Sequence, residues 1–191
     1  MITKLQIINE AIKAVGLAPV ASIDSKLPSF LKALSTFEHI NGEVQSKGWW
    51  FNDHIKTLNP GPDGRIVAPQ YATSVQVYDR PEIVIRGQTL YDISKSTDQF
   101  DGPVTGRIIE TLPIEAVPPS MRYYISMRTK LAHYVDEDGG DPKLSIYMEA
   151  HQRAEAVVKA EDLKYRQITS KEGKTYIAAK WPHTKPNRVR R

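Results

Sequence analysis

Five histidines, His39, His54, His133, His151 and His183, are the first side chains with chemistry to offer, and no cysteine accompanies them. No two stand four residues apart around a glutamate, the spacing that puts two zinc ligands and a general base on one helix face. His133 and His151 can approach each other across a helical hairpin, with Asp136 or Glu137 beside them, but packed or solvated helix histidines are the simpler reading. Among carboxylates, Asp92, Asp98, Asp101, Glu110 and Glu115 gather in one stretch. Two such groups facing one cleft would hydrolyse a glycosidic bond, although a chain with 22 acidic residues forms groupings of this kind from composition alone. Asp136, Glu137, Asp138 and Asp141 supply oxygen ligands without the ordered spacing of a calcium loop, so a solvated connection is expected there. No Gly-x-Ser-x-Gly elbow and no phosphate-cradling Gly-Lys-Ser/Thr loop occur, which leaves acyl transfer and P-loop chemistry without their usual supports. The absence of cysteine removes disulfides, zinc ribbons and thiol nucleophiles together, and suits folding in a reducing compartment.

The elements that must position these residues change period along the chain. A helix is predicted after Thr3, an N-cap, with Leu5, Ile8, Ile12 and Val15 at helical spacing; Gly16 closes it and Pro19 prevents its continuation. A second is predicted from Pro28, with Phe30, Leu34, Phe37 and Val44 on one stripe and Gly48 as its stop. From residue 49 the chain turns to β-branched and aromatic residues. Strands are expected over 49–58, 74–78, 82–86, 89–93 and 104–111, separated by the turn-forming residues 59–64, Gly87-Gln88 and 101–103. Alternation in the first strand would send Trp49 and Phe51 to one face and Trp50 to the other, where they anchor the strand or stack on bases or sugars. Helical spacing resumes near Pro118 with Met121, Tyr124, Arg128, Leu131 and Val135. An acidic loop at 136–141 leads to a long helix with Leu144, Tyr147, Met148, Ala154, Val157 and Val158 on its buried side, about 36 Å long if it reaches Tyr165.

The fold class expected is therefore α+β: an antiparallel bundle of about four helices with an inserted small antiparallel β-region and an extended C-terminal arm. Its organisation reads as bundle residues 1–48, β-region 49–112, bundle 113–167 and arm 168–191. With 191 residues the chain is long enough to bury a real core. Its longest apolar run, near 14–21, is too short to span a bilayer, and residues 1–10 alternate instead of forming a basic-then-apolar leader. The net charge of +4 is uneven. Residues 168–191 carry seven cations against Glu172, a net +6, which leaves −2 for the rest. Pro182 and Pro186 keep this arm extended. Its charges suit nucleic acid through counterion release, or a neighbouring protein with Trp181 as the anchor.

Residues 9–20, Asn-Glu-Ala-Ile-Lys-Ala-Val-Gly-Leu-Ala-Pro-Val, resemble the opening helix and Gly-x-x-Pro-Val turn of the tail tubular protein A family. Residues 44–52, Val-Gln-Ser-Lys-Gly-Trp-Trp-Phe-Asn, are similar to the family's Gln-x-x-Gly-Trp-x-Phe-Asn signature. Leu90-Tyr91-Asp92, Phe100-Asp101 and Arg122-Tyr123-Tyr124-Ile125 follow in family order, so the resemblance covers about residues 3–167. It implies a head-to-tail adaptor of short-tailed bacteriophages: a virion protein forming a ring, a dodecamer in the family, between portal and tail nozzle. DNA would pass through without sequence-specific binding. The motif residues Gly16, Pro19, Gly48, Trp49, Phe51 and Asn52 take structural roles in this reading, with no catalytic residue, cofactor or metal. Lys171, Lys174, Lys180, Trp181, Lys185, Arg188, Arg190 and Arg191 are expected to grip the portal. The alternatives are a virion-associated glycan hydrolase and a nucleic-acid-binding module that uses the basic arm.

Overall fold

Thr3 opens α1 (Lys4–Ala14) with a capping box: its hydroxyl accepts from the Gln6 amide, and the Gln6 side chain accepts from the Thr3 amide. The helix closes at Val15, followed by Gly16 at φ +77°, where a residue with a Cβ would be strained. α2 (Pro28–Ser46) begins with proline in its first turn, where the missing N–H is no loss. This computed structural model describes residues 2–138 and 143–171. Strands β1 (Asp53–Leu58), β2 (Ala72–Gln76), β3 (Ile83–Arg86), β4 (Thr89–Asp92) and β5 (Val104–Glu110) follow, then α3 (Pro119–Asp138) and α4 (Lys143–Lys171). The α+β class is as expected, with four α-helices and five strands among the described residues.

Two hydrophobic cores result. Ile7, Ile8 and Ile12 of α1, Phe30, Phe37 and Val44 of α2, Met121, Tyr124 and Ile125 of α3, and Ala154 and Val158 of α4 fill the bundle. Ile66, Val77, Ile83, Leu90, Phe100 and Val104 fill the β-region. There the antiparallel sheet runs β1-β5-β2, beside the β3-β4 hairpin. Among the described residues no helix is long and apolar enough to cross a membrane.

Several expectations are corrected. Residues 49–52 form a turn, not the start of a strand: Asn52 N–H donates to the Trp49 carbonyl at 3.1 Å, and β1 begins only at Asp53. Strand alternation therefore does not govern Trp49, Trp50 and Phe51. Asp136, Glu137 and Asp138 belong to the last turn of α3 instead of a loop, while Asp141 lies outside the described residues. On α3 the buried face is Met121, Arg122, Ile125, Thr129 and His133 together with Tyr124, whereas Val135 is exposed. On α4, among the described residues, only Ala154 and Val158 are buried; Met148 and Val157 face outward. α4, at 29 residues, is about 43 Å long and continues past Tyr165 into the segment expected as arm.

Candidate functional site

The motif residues 48–52 lie where the two cores meet. Gly48, at φ +70°, turns the chain off the end of α2. A Cβ there would stand 3.0 Å from Ile109 Cδ1 and 3.2 Å from Arg107 Nη2, so this position is closed to larger residues by conformation and by space. Trp49 is buried on the bundle core, its Nε1 donating to the Val44 carbonyl at 2.7 Å and its ring edge-on to Tyr124. Trp50 stacks on Tyr165 of α4 with ring centroids 5.5 Å apart and planes 9° from parallel. Phe51 meets Trp50 edge-on and packs against the bundle core.

Asn52 ties this turn to the sheet. Fully buried, it donates from Nδ2 to the carbonyls of Gln45 at 2.9 Å and Glu110 at 2.7 Å. Its Oδ1 accepts from the Trp49 amide at 2.7 Å. Gln45, also fully buried, pairs through its amide with both backbone groups of Leu112 at 2.9 Å. These two amides satisfy the backbone at the end of α2 and just after β5 where no helix or ladder bond is available, and unpaired buried groups there would be costly.

An ionic layer completes the joint from the α4 side. Asp162 Oδ1 accepts from the Trp50 amide at 3.0 Å, while Oδ2 accepts from Arg166 Nε at 2.8 Å. Arg166 Nη2 donates to the Gly48 carbonyl at 2.9 Å and stands 3.5 Å from Asp53. Asp53 in turn takes a bidentate pair from Arg107 at 2.7 and 2.6 Å, which holds the Arg107 guanidinium further above its ordinary range. Arg107, Asp162 and Arg166 escaped the sequence reading. The four-residue spacing of Asp162 and Arg166 was the available signal, and it reads equally as a solvated helix pair.

The other candidate residues do not gather here. Gly16 and Pro19 belong to the α1–α2 connection, which Asn9 fastens by pairing with both backbone groups of Val20 at 2.9 Å. Glu110 is neutralised by Lys56 at 2.6 Å, and Asp98 pairs with Arg65 at 2.8 Å. Asp92 is buried, and its carboxyl is held at about 2 by the Ser94 hydroxyl, the Lys95 amide and the Arg80 guanidinium. His133 is buried facing Glu137, Asp136 and Lys32, and His151 lies against Tyr124; burial lowers the pKa of both. Among the described residues no three metal-ligating side chains converge. Lys171 ends α4, and Lys174, Lys180, Trp181, Lys185, Arg188, Arg190 and Arg191 lie outside the described residues, as does His183.

Asn52, Gln45, Asp162 and Arg166 between them tie the end of α2, the 49–52 turn, the sheet and α4 into one joint. The tail tubular protein family model matches residues 5–168, nearly the span of the motif resemblance, and the chain belongs to that family as a structural protein of a phage tail. It is 27% identical over 170 residues to the Tail tubular protein A of Klebsiella phage KP34, covering 87% of this chain and 90% of that protein.

Proposed function

We propose that this tail protein is a head-to-tail adaptor: copies close into a ring, a dodecamer in keeping with the resemblance, between the portal and the tail nozzle, and extend the channel through which DNA is retained and then ejected. The observation that carries this is the family match over residues 5–168, which takes in both the bundle and the β-region. The joint at 48–52 supports it mechanically. A ring subunit loaded between two other components must transmit force between its ends without hinging; the Gln45–Leu112 hydrogen bonds and the Arg166–Asp53 ion pair link bundle to sheet there, and Trp50 stacked on Tyr165 holds the connecting turn to α4. A closed ring also needs two different side surfaces on every copy. Ile146 and Val157 expose apolar surface on one side of α4, and Leu27 and Leu31 expose it at the start of α2.

In this reading residues 1–48 and 113–171 form the ring body, 49–112 the inserted β-region, and 172–191 an arm that starts where α4 ends, at Lys171. Lys171, Lys174, Lys180, Trp181, Lys185, Arg188, Arg190 and Arg191 reach onto the portal, and assembly takes place in the bacterial cytoplasm. Native mass spectrometry of the chain alone and with the portal of the same phage tests it. A mass gain equal to a full ring of this chain on the portal is expected. Absence of any complex across a range of salt concentrations refutes the adaptor role, and a full ring formed by a chain ending at Lys171 refutes the grip of the arm.

A further inference from the structure

Two lines of side chains, one on α2 and one on α4, share a spacing. Leu31, Glu38 and Gly42 follow one another along α2, and Ile146, Arg153 and Val157 along α4, both at positions i, i+7 and i+11 of a helix. Leu31, Ile146 and Val157 are large apolar side chains left in solvent. Glu38 and Arg153 are exposed too, in surface ion pairs with Lys4 and Glu149 that contribute little and exchange readily. At Gly42 nothing stands within 4 Å of where a Cβ would be. Glycine in a helix interior is destabilising relative to alanine, and among the described residues no neighbour uses the space it leaves.

Within one chain α3 packs against both α2 and α4, and each line lies on a surface that its helix leaves exposed. The two helices run in the same direction, because the end of α2 and the end of α4 both reach the 48–52 turn. They are also level with each other. Trp50 meets Asp162, 112 residues on, and Gly48 meets Arg166, 118 residues on. At the far end Lys32 pairs with Glu137 of α3, and Tyr134 of α3 meets Tyr147 of α4. Rotation about an axis running along the bundle preserves height and direction. In a ring built that way, α2 of one copy meets α4 of the next in parallel, at residues separated by about the same sequence distance. Leu31 and Ile146, Glu38 and Arg153, and Gly42 and Val157 are each separated by 115 residues. At matching heights, apolar therefore meets apolar, carboxylate meets guanidinium, and a branched side chain meets the gap.

We propose that α2 of one copy packs in parallel on α4 of the next, with Leu31 against Ile146, Glu38 paired with Arg153, and Val157 filling the space at Gly42. The contact is heterologous: each copy offers α2 to one neighbour and α4 to the other, which builds a ring and not a two-fold dimer. It rests on the ring of the adaptor reading and names the surfaces that build it.

Rings assembled on the portal of the same phage test it. The native chain has no cysteine, so a chain carrying both Leu31→Cys and Ile146→Cys, oxidised in the ring, is expected to give a ladder of cross-linked multimers on a non-reducing gel. Mixed single-cysteine chains are expected to bridge 31 to 146 only. A ring of native mass without that bridge, or with 31–31 and 146–146 bridges in its place, overturns the contact and leaves the adaptor reading standing. Glu38→Arg and Arg153→Glu are each expected to raise the concentration for half-assembly at least ~10-fold, because like charges then face each other. The two together in one chain are expected to bring it back toward the native value. Single variants that assemble as the native chain does, or a double variant no better than the single ones, refute the pairing at this register. If the native chain forms no ring on the portal, the adaptor reading falls and takes this contact with it.

Discussion

Asn52 donates to two carbonyls and accepts from one amide without touching solvent. Asn52→Ala strands all three backbone groups in the interior, and a loss of about 3 kcal/mol in chemical denaturation is expected. Asn52→Asp keeps the shape yet turns a carboxylate oxygen toward the Gln45 and Glu110 carbonyls, so it destabilises at least as much as alanine. Asp92 gives the pH counterpart in the β-region. Its carboxyl falls from the ordinary 3.8 to about 2, so its contribution to stability is complete above about 4 and disappears as pH falls through 2. Asp92→Asn is expected to flatten that limb of a stability-against-pH curve; an unchanged limb refutes the assignment. The sequence marked position 52 through its motif but not its role. Glu110, its acceptor, is 58 residues away, and Asp162, which holds neighbouring Trp50, is 112 away from it, distances that no local period encodes. Asp92 was read as one member of an acidic grouping because its cationic partner Arg80 becomes adjacent only when the β-region closes.

At the scale of elements, helices and turns were legible where local rules govern them. The capping box at Thr3, Pro28 in the first turn of α2 and the left-handed glycines at 16 and 48 all fix boundaries through neighbouring residues. The faces of α3 and α4 were less legible, because the apolar stripe was equated with the buried one. Thr129 and His133 are buried without being apolar, and Met148 and Val157 are apolar without being buried. Toward its C-terminal end α4 is held by polar and aromatic contacts more than by core burial: Asp162 to the Trp50 amide, Arg166 to the Gly48 carbonyl, Tyr165 on the Trp50 ring. Asp162→Ala removes an acceptor shared by the turn and Arg166. Hydrogen exchange over residues 162–166 is then expected to accelerate by about tenfold, while α1 and α2 keep their protection. Acceleration throughout the bundle would mean that the joint supports the whole fold and not the end of one helix.

For the molecule as a whole, the net charge of +4 combines two unlike parts. Residues 172–191 carry six cations against Glu172, a net +5, and the other residues together carry −1. In the proposed adaptor role the body works best if it does not grip a polyphosphate, since each cation bound to a phosphate must be released as the genome moves. Counterion release makes the difference measurable: a chain contacting DNA only through the six cations of the arm loses affinity with salt at a log–log slope no steeper than about −5. The full chain is expected to bind duplex DNA weakly with at most that slope, and a chain ending at Lys171 to show no binding at about 0.1 M salt. Equal binding by the two chains would place a DNA-gripping surface on the body, against a passive channel wall. A full-chain slope near −5 that persists when a portal ring has formed would leave the arm's cations on DNA and not on the portal, and would favour the nucleic-acid-binding role over the adaptor clamp.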